Sequence, residues 1–142
     1  LVRLPLQGGH YDRLVTQMSR AAAMPVVLAQ AGQRAVPNTI HFLPDGVGLA
    51  PDGDGVAFAA GVGRGENFDA LPLGNAAVVF LSGADPDLVE AAMTAGATGA
   101  LVAAQTPEDC YDGIACAGLR VRGVETALPA AIAAQLATRW PS

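Results

Sequence analysis

The chain has 142 residues, 51% hydrophobic, 15% charged and 5% aromatic, which excludes collagen-like and disordered classes and predicts one domain, 1–142, with a core of many small side chains. Its net charge is −5, and all eight cationic residues are arginines scattered singly from Arg3 to Arg139. No basic stripe is present to neutralise a phosphate backbone, so nucleic acid is not an expected partner. Runs such as Ala76 to Leu81 fall far short of the roughly 20 apolar residues that cross a bilayer, and no charged-then-apolar leader precedes them. The expectation is a cytoplasmic domain without membrane insertion.

Leu1 opens the chain and Val2 to Leu6 reads as the end of an apolar strand, so a preceding segment is expected. From Tyr11 to Met24, Tyr11, Leu14, Val15 and Met18 recur at helical spacing with polar residues between them, and Pro25 ends the helix. Strands are predicted at Pro25 to Gln30 and at Asn38 to Leu43. Val47 to Ala50 and Val56 to Ala60 flank Pro51-Asp-Gly-Asp-Gly55, an antiparallel hairpin. Gly61 to Gly74 reads as a loop. Its Gly61-Val-Gly-Arg-Gly65 lacks the helix and Lys-Ser/Thr pair of a phosphate cradle, so no nucleotide and no other cofactor is expected.

After the loop the pattern becomes strand, helix, strand. Ala76 to Leu81 is a continuous apolar run, Asp85-Pro86 suits a cap and first-turn proline, and the helix runs to Ala95 with Gly96 as its left-handed stop. The strand Ala100 to Ala104 follows, and Pro129 opens a last helix to about Thr138. The order predicts a three-layer α/β/α fold, doubly wound, with a mostly parallel sheet and one antiparallel hairpin portion.

In such folds sites gather where strand carboxyl ends meet helix starts, which points to the turn Ser82 to Asp87. Asp85 reads as a cap. Asp87, in the first turn, is placed to orient an imidazole. Of the two histidines, His41 alternates onto a sheet face and reads as structural, whereas His10 follows Gly8-Gly9 ahead of a helix and is the candidate base. Ser82 lacks the G-x-S-x-G spacing of a nucleophile elbow and reads as a structural hydroxyl. Cys110 and Cys116 are too few for a disulfide framework and lack zinc-site spacing, so two free thiols and no metal are expected.

Three stretches carry a family likeness. Val26 to Gly32 followed by Pro37 to Pro44 is similar to V-x-x-A-x-x-G and p-G-x-V-Y-I-A-P. Phe80-Leu-Ser-Gly-Ala-Asp-Pro-Asp87 is similar to I-L-T-G-M-G-x-D, and Ala103 to Cys110 to x-A-Q-d-p-e-x-C. Gly123 to Pro129, with Ile132 and Leu136, is similar to the closing G-a-v-D-x-v-L-P and its helix. On these residues the chain resembles the catalytic domain of the chemotaxis protein-glutamate methylesterases, the CheB family.

The resemblance implies a Rossmann-like Ser-His-Asp esterase acting on glutamyl methyl esters of chemoreceptors. Asp87 stands at its triad aspartate, His10 about two places from its histidine, and Ser82, Gly83, Ala84 and Asp85 at its oxyanion and substrate cleft. Three departures accompany this. Gly8 occupies the place of the imidazole, and nothing corresponds to the family's G-A-S-T-G-G nucleophile turn. Asp85 also brings a carboxylate where an oxyanion would develop. Loss of a triad member removes orders of magnitude in rate. The reading is a CheB-like domain lacking the first strand and nucleophile turn, a pseudoenzyme serving as an interaction or regulatory module. Its partner would be a chemoreceptor or another chemosensory protein, with room for a receiver domain upstream. The alternatives are an active methylesterase whose serine comes from outside this chain, and an unrelated domain holding a small ligand at Ser82 to Asp87.

Overall fold

A computed structural model describes residues 1–3, 8–21, 24–44, 46–61 and 68–141, with the backbone alone at 8–11, 14, 69 and 73. The chain divides into two compact units, Leu1–Leu71 and Pro72–Ser142.

The first unit begins with β1 (Val2–Arg3) and α1 (Gly8–Ala21). The helix starts earlier than its apolar period suggests, because a period registers only residues that face a core, while a first turn needs no apolar side chain. His10 therefore lies inside α1 rather than ahead of it. The expected end of the first strand, 4–6, and residues 22–23 of the expected helix lie outside the described residues, while Met24, its expected last residue, is in a bend and not in the helix. Next come β2 (Val26–Leu28) and β3 (Ile40–Leu43), and the three strands pair in parallel in the order β1-β3-β2. The Arg3 guanidinium donates to the carbonyls of Leu43, Pro44 and Val47, holding β1 against the exit from β3.

The hairpin is present and longer than expected. β4 (Val47–Asp52) pairs antiparallel with β5 (Gly55–Ala60), and the turn narrows to Gly53-Asp54. Pro51, read as a turn residue, instead lies in β4 opposite Val56. Proline is tolerated where a strand has an unpaired side. The second side of β5 is taken by the segment 32–35, through Arg34 opposite Ala57 and the bonds from Gly32 N–H to Phe58 O and Ala35 N–H to Val56 O. The core of this unit is Ala29, Leu43, Leu49, Val56, Phe58 and Ala70. Of the expected Gly61 to Gly74 loop, 62–67 lie outside the described residues, and with them most of the Gly61 to Gly65 stretch; Phe68–Ala70 and Leu73–Asn75 are short 3-10 turns.

The second unit is built on β6 (Ala77–Phe80), β7 (Leu101–Gln105) and β8 (Thr126–Ala127), parallel and in that order. Between β6 and β7, a 3-10 turn Pro86–Leu88 leads into α2 (Val89–Ala97). Gly96 is not the stop of this helix but lies within it, where an added Cβ would stand 3.0 Å from Val102 Cγ2. The glycine eases the helix-on-strand approach, since a Cβ there would press on a Val102 methyl group. The positive φ, 119°, belongs to Gly99. α3 (Ile114–Val121) and α4 (Pro129–Arg139) complete the unit, α4 ending within a residue of its expected end. Ala92, Ala95, Ala103, Ala104, Ala115 and Leu119 pack its interior, so small side chains let helices sit close to the sheet.

The chain is thus mixed α/β, with parallel sheets flanked by helices, in keeping with the expected three-layer α/β/α class. No helix among the described residues is long and apolar enough to cross a membrane.

Candidate functional site

The apolar runs of β6 and β7 end together in a parallel pair, Phe80 opposite Ala104, so polar residues that follow either strand meet at one end of the sheet. Backbone groups leave the ladder there and require new partners. Ser82 takes part in three such bonds. Its N–H donates to Gln105 Oε1 at 2.9 Å, and its Oγ accepts the N–H groups of Tyr111 at 3.0 Å and Asp112 at 3.1 Å. Gln105 is buried, 8% exposed, and its Nε2 donates to Asp109 Oδ2 at 2.7 Å. Both ends of its amide are therefore satisfied, as a buried polar group requires.

The neighbouring amides are also engaged. Gly83 N–H donates to Asp112 O at 2.9 Å and Ala84 N–H to Leu81 O at 3.0 Å. Asp85 has extended backbone angles, and its Oδ1 accepts Asp87 N–H at 2.9 Å with Pro86 opening the turn, which is the cap expected of it. The N–H groups of 82, 83 and 84, the residues matched to an oxyanion cleft, thus all donate to acceptors of this chain. An oxyanion hole works by aiming such donors at the reacting atom.

Asp87 lies in the first turn after β6 and is exposed. His10 belongs to the first unit, and its side chain lies outside the described residues. His41 is buried, 3% exposed; its Nε2 accepts Val36 N–H at 3.3 Å, and its ring lies 5.2 Å from that of Phe58. Burial lowers its pKa below the ordinary imidazole value. These contacts fit the structural role read from its strand position. His41 also lines a cavity of about 520 Å³ with Val27, Gln33, Arg34 and Val36.

No family model matches the chain, and no curated protein matches it.

Carboxylates surround the Ser82 turn: Asp85, Asp87, Glu108, Asp109 and Asp112 are all exposed. Glu108 is held below the usual carboxyl range by a backbone hydrogen bond first and then by Arg120, whose Nη1 lies 2.9 Å away. Asp112 Oδ1 accepts Ile114 N–H at 3.2 Å, where α3 begins. Among the described residues no group of three or more His, Cys, Asp or Glu is placed to hold a metal ion. Gln105, Asp109 and Asp112 are the residues a functional reading of the sequence passed over. The available signal was a lone glutamine closing an apolar strand, a polar side chain that must find partners at the sheet's end.

The second unit also has an open cavity of about 510 Å³, lined by Met93, Ala97, Val102, Thr126, Ile132 and Gln135 among others. None of Ser82 to Asp87 lines it.

Proposed function

We propose that this chain is a catalytically inactive, CheB-like domain that works as a protein-interaction or regulatory module in a bacterial chemosensory pathway. Its place would be the cytoplasm and its partner a chemoreceptor or another chemosensory protein. The observation that carries the reading is the double acceptor role of Ser82 Oγ toward Tyr111 and Asp112. A hydroxyl that takes two backbone N–H groups serves the turn, and the adjacent amides serve it too, so the developing charge of ester cleavage would meet no free backbone N–H of residues 82 to 84. The carboxylate of Asp85 would oppose that charge.

The test pairs an activity with a binding measurement. Purified protein is incubated with a peptide bearing glutamyl methyl esters, and methanol release should equal that of buffer. The cytoplasmic fragment of a chemoreceptor should bind the same preparation in titration calorimetry. Methanol release above buffer, with labelling by a serine-directed phosphonate that Asp87→Asn abolishes, would instead favour the active methylesterase. Absence of both binding and hydrolysis would end both readings.

A further inference from the structure

Two thiols meet beneath the Ser82 turn. Cys110 follows the 3-10 turn Pro107–Asp109, and Cys116 lies in the first turns of α3. Their sulfurs are 4.0 Å apart. Cys116 Sγ faces Phe80 O at 3.5 Å and Leu81 O at 3.7 Å, at the exit of β6, and Cys110 Sγ faces Thr106 O at 3.5 Å. Cys116 is wholly buried and Cys110 half-buried.

The approach is built into the backbone. The loop between the cysteines folds back so tightly that a Cβ on Gly113 would stand 2.8 Å from Pro107 O and 3.2 Å from Cys110 Cβ. Only glycine fits there without displacing backbone. The same loop carries the two N–H groups that hold Ser82 Oγ, so the position of Cys110 and the bonding of Ser82 are set by one short segment.

We propose that Cys110 and Cys116 are a reversible two-electron oxidation site, closing to an intramolecular disulfide with hydrogen peroxide and thereby loosening the Ser82 turn. The sulfurs must close from 4.0 Å to about 2.05 Å, a shift that side-chain rotation and a small loop movement supply. Cys110, the accessible thiol, gives up its proton and attacks one peroxide oxygen. The O–O bond breaks, hydroxide leaves and takes up the proton as water, and Cys110 becomes a sulfenic acid. Cys116 sulfur then attacks Cys110 sulfur: the S–S bond forms, the S–O bond breaks, and the departing hydroxide leaves as water with the Cys116 proton. The sum is two thiols and one peroxide giving one disulfide and two waters. A small dithiol reverses it by exchange. The order of attack follows from burial, which with the neighbouring Cys110 pushes the Cys116 thiol up to about 11 and keeps it protonated until a sulfenic acid stands beside it. Closure draws Cys110 away from Thr106 O and moves Tyr111 and Asp112 with it.

The whole chain is reduced, freed of reductant and given one equivalent of hydrogen peroxide. Intact mass should fall by two hydrogen atoms, both thiols should become inert to alkylation under denaturing conditions, and dithiothreitol should restore both. Amide exchange at Tyr111 and Asp112 should speed up severalfold in the oxidised form and return on reduction. Cys116→Ala should stop at a dimedone-reactive sulfenic acid on Cys110, and Cys110→Ser, at a half-buried loop position, should leave the mass unchanged at that dose. Sulfinic acid on Cys110 with Cys116 still alkylatable, covalent dimers, or an unmodified chain would each overturn the disulfide. Unchanged exchange at both amides in the disulfide form would overturn the coupling to Ser82. None of these readouts depends on a chemosensory partner.

Discussion

Gln105 Oε1 accepts the backbone N–H of Ser82 at 2.9 Å, joining the carboxyl ends of two neighbouring parallel strands through one buried side chain. With Asp109 on the other end of the amide, this bond turns the place where such folds usually open to ligand into a closed polar network.

Gln105→Leu removes both amide bonds while keeping most of the volume, and leaves Ser82 N–H without its acceptor. The expected cost is about 1–3 kcal/mol in urea unfolding. Ser82→Ala, which leaves the exposed N–H groups of Tyr111 and Asp112 to water, should cost about 0.5–1.5 kcal/mol. Because the two residues share one network, the double variant should lose less than the sum of the singles. Strict additivity in that cycle would show the network to be uncoupled.

His41 accepts Val36 N–H at Nε2, which requires the neutral ring at that nitrogen. Its folded pKa lies below its unfolded value of about 6.5, so the unfolded chain takes up the proton first as pH falls. Stability from this group is complete above the unfolded value and is lost as pH drops through it toward the lowered folded value. Urea midpoints should therefore fall as pH drops through about 6.5 and below, and His41→Gln should flatten that part of the decline. An imidazole signal titrating above the unfolded value would contradict the sign.

Gly113→Ala places a Cβ 2.8 Å from Pro107 O and should destabilise by about 1–3 kcal/mol, because the obstacle is backbone. Gly74→Ala meets nothing within 4 Å and has no positive φ. It should be neutral or stabilising by up to about 1 kcal/mol. Thermal melts of the two variants side by side distinguish a packing requirement from the general effect of adding a methyl group.

Asp85→Ala deletes the cap on Asp87 N–H and should cost about 0.5–2 kcal/mol, whereas Asp85→Asn keeps an acceptor and should cost little. An equal loss for both would show that charge, rather than the hydrogen bond, is what the turn uses.

The strands and most helices are legible in the order of residues because their signals are local. The apolar run from Ala76, the Asp-Gly pairs of the hairpin, Asp85-Pro86 and Pro129 each act through the conformations open to a few adjacent residues. α3 and β8 are not legible in this way because both are short: α3 is amphipathic but spans eight residues and contains Gly118, and β8 is two residues that pair with β7. Gly96 has the local propensity of a helix stop, and its contact with Val102 inside α2 gives it another role.

By itself, the sequence determined that parallel α/β units would form and that a capped turn would follow the strand at Ala77–Phe80, since backbone sterics and apolar periodicity need no distant partner. Only the tertiary structure decided what that turn holds. Ser82 is joined to Tyr111 and Asp112 across 29 and 30 residues, to Gln105 across 23, and Cys116 lies under Phe80 across 36. Such pairings follow from strand order and burial, which bring together groups whose need for a partner is visible locally but whose partner is not.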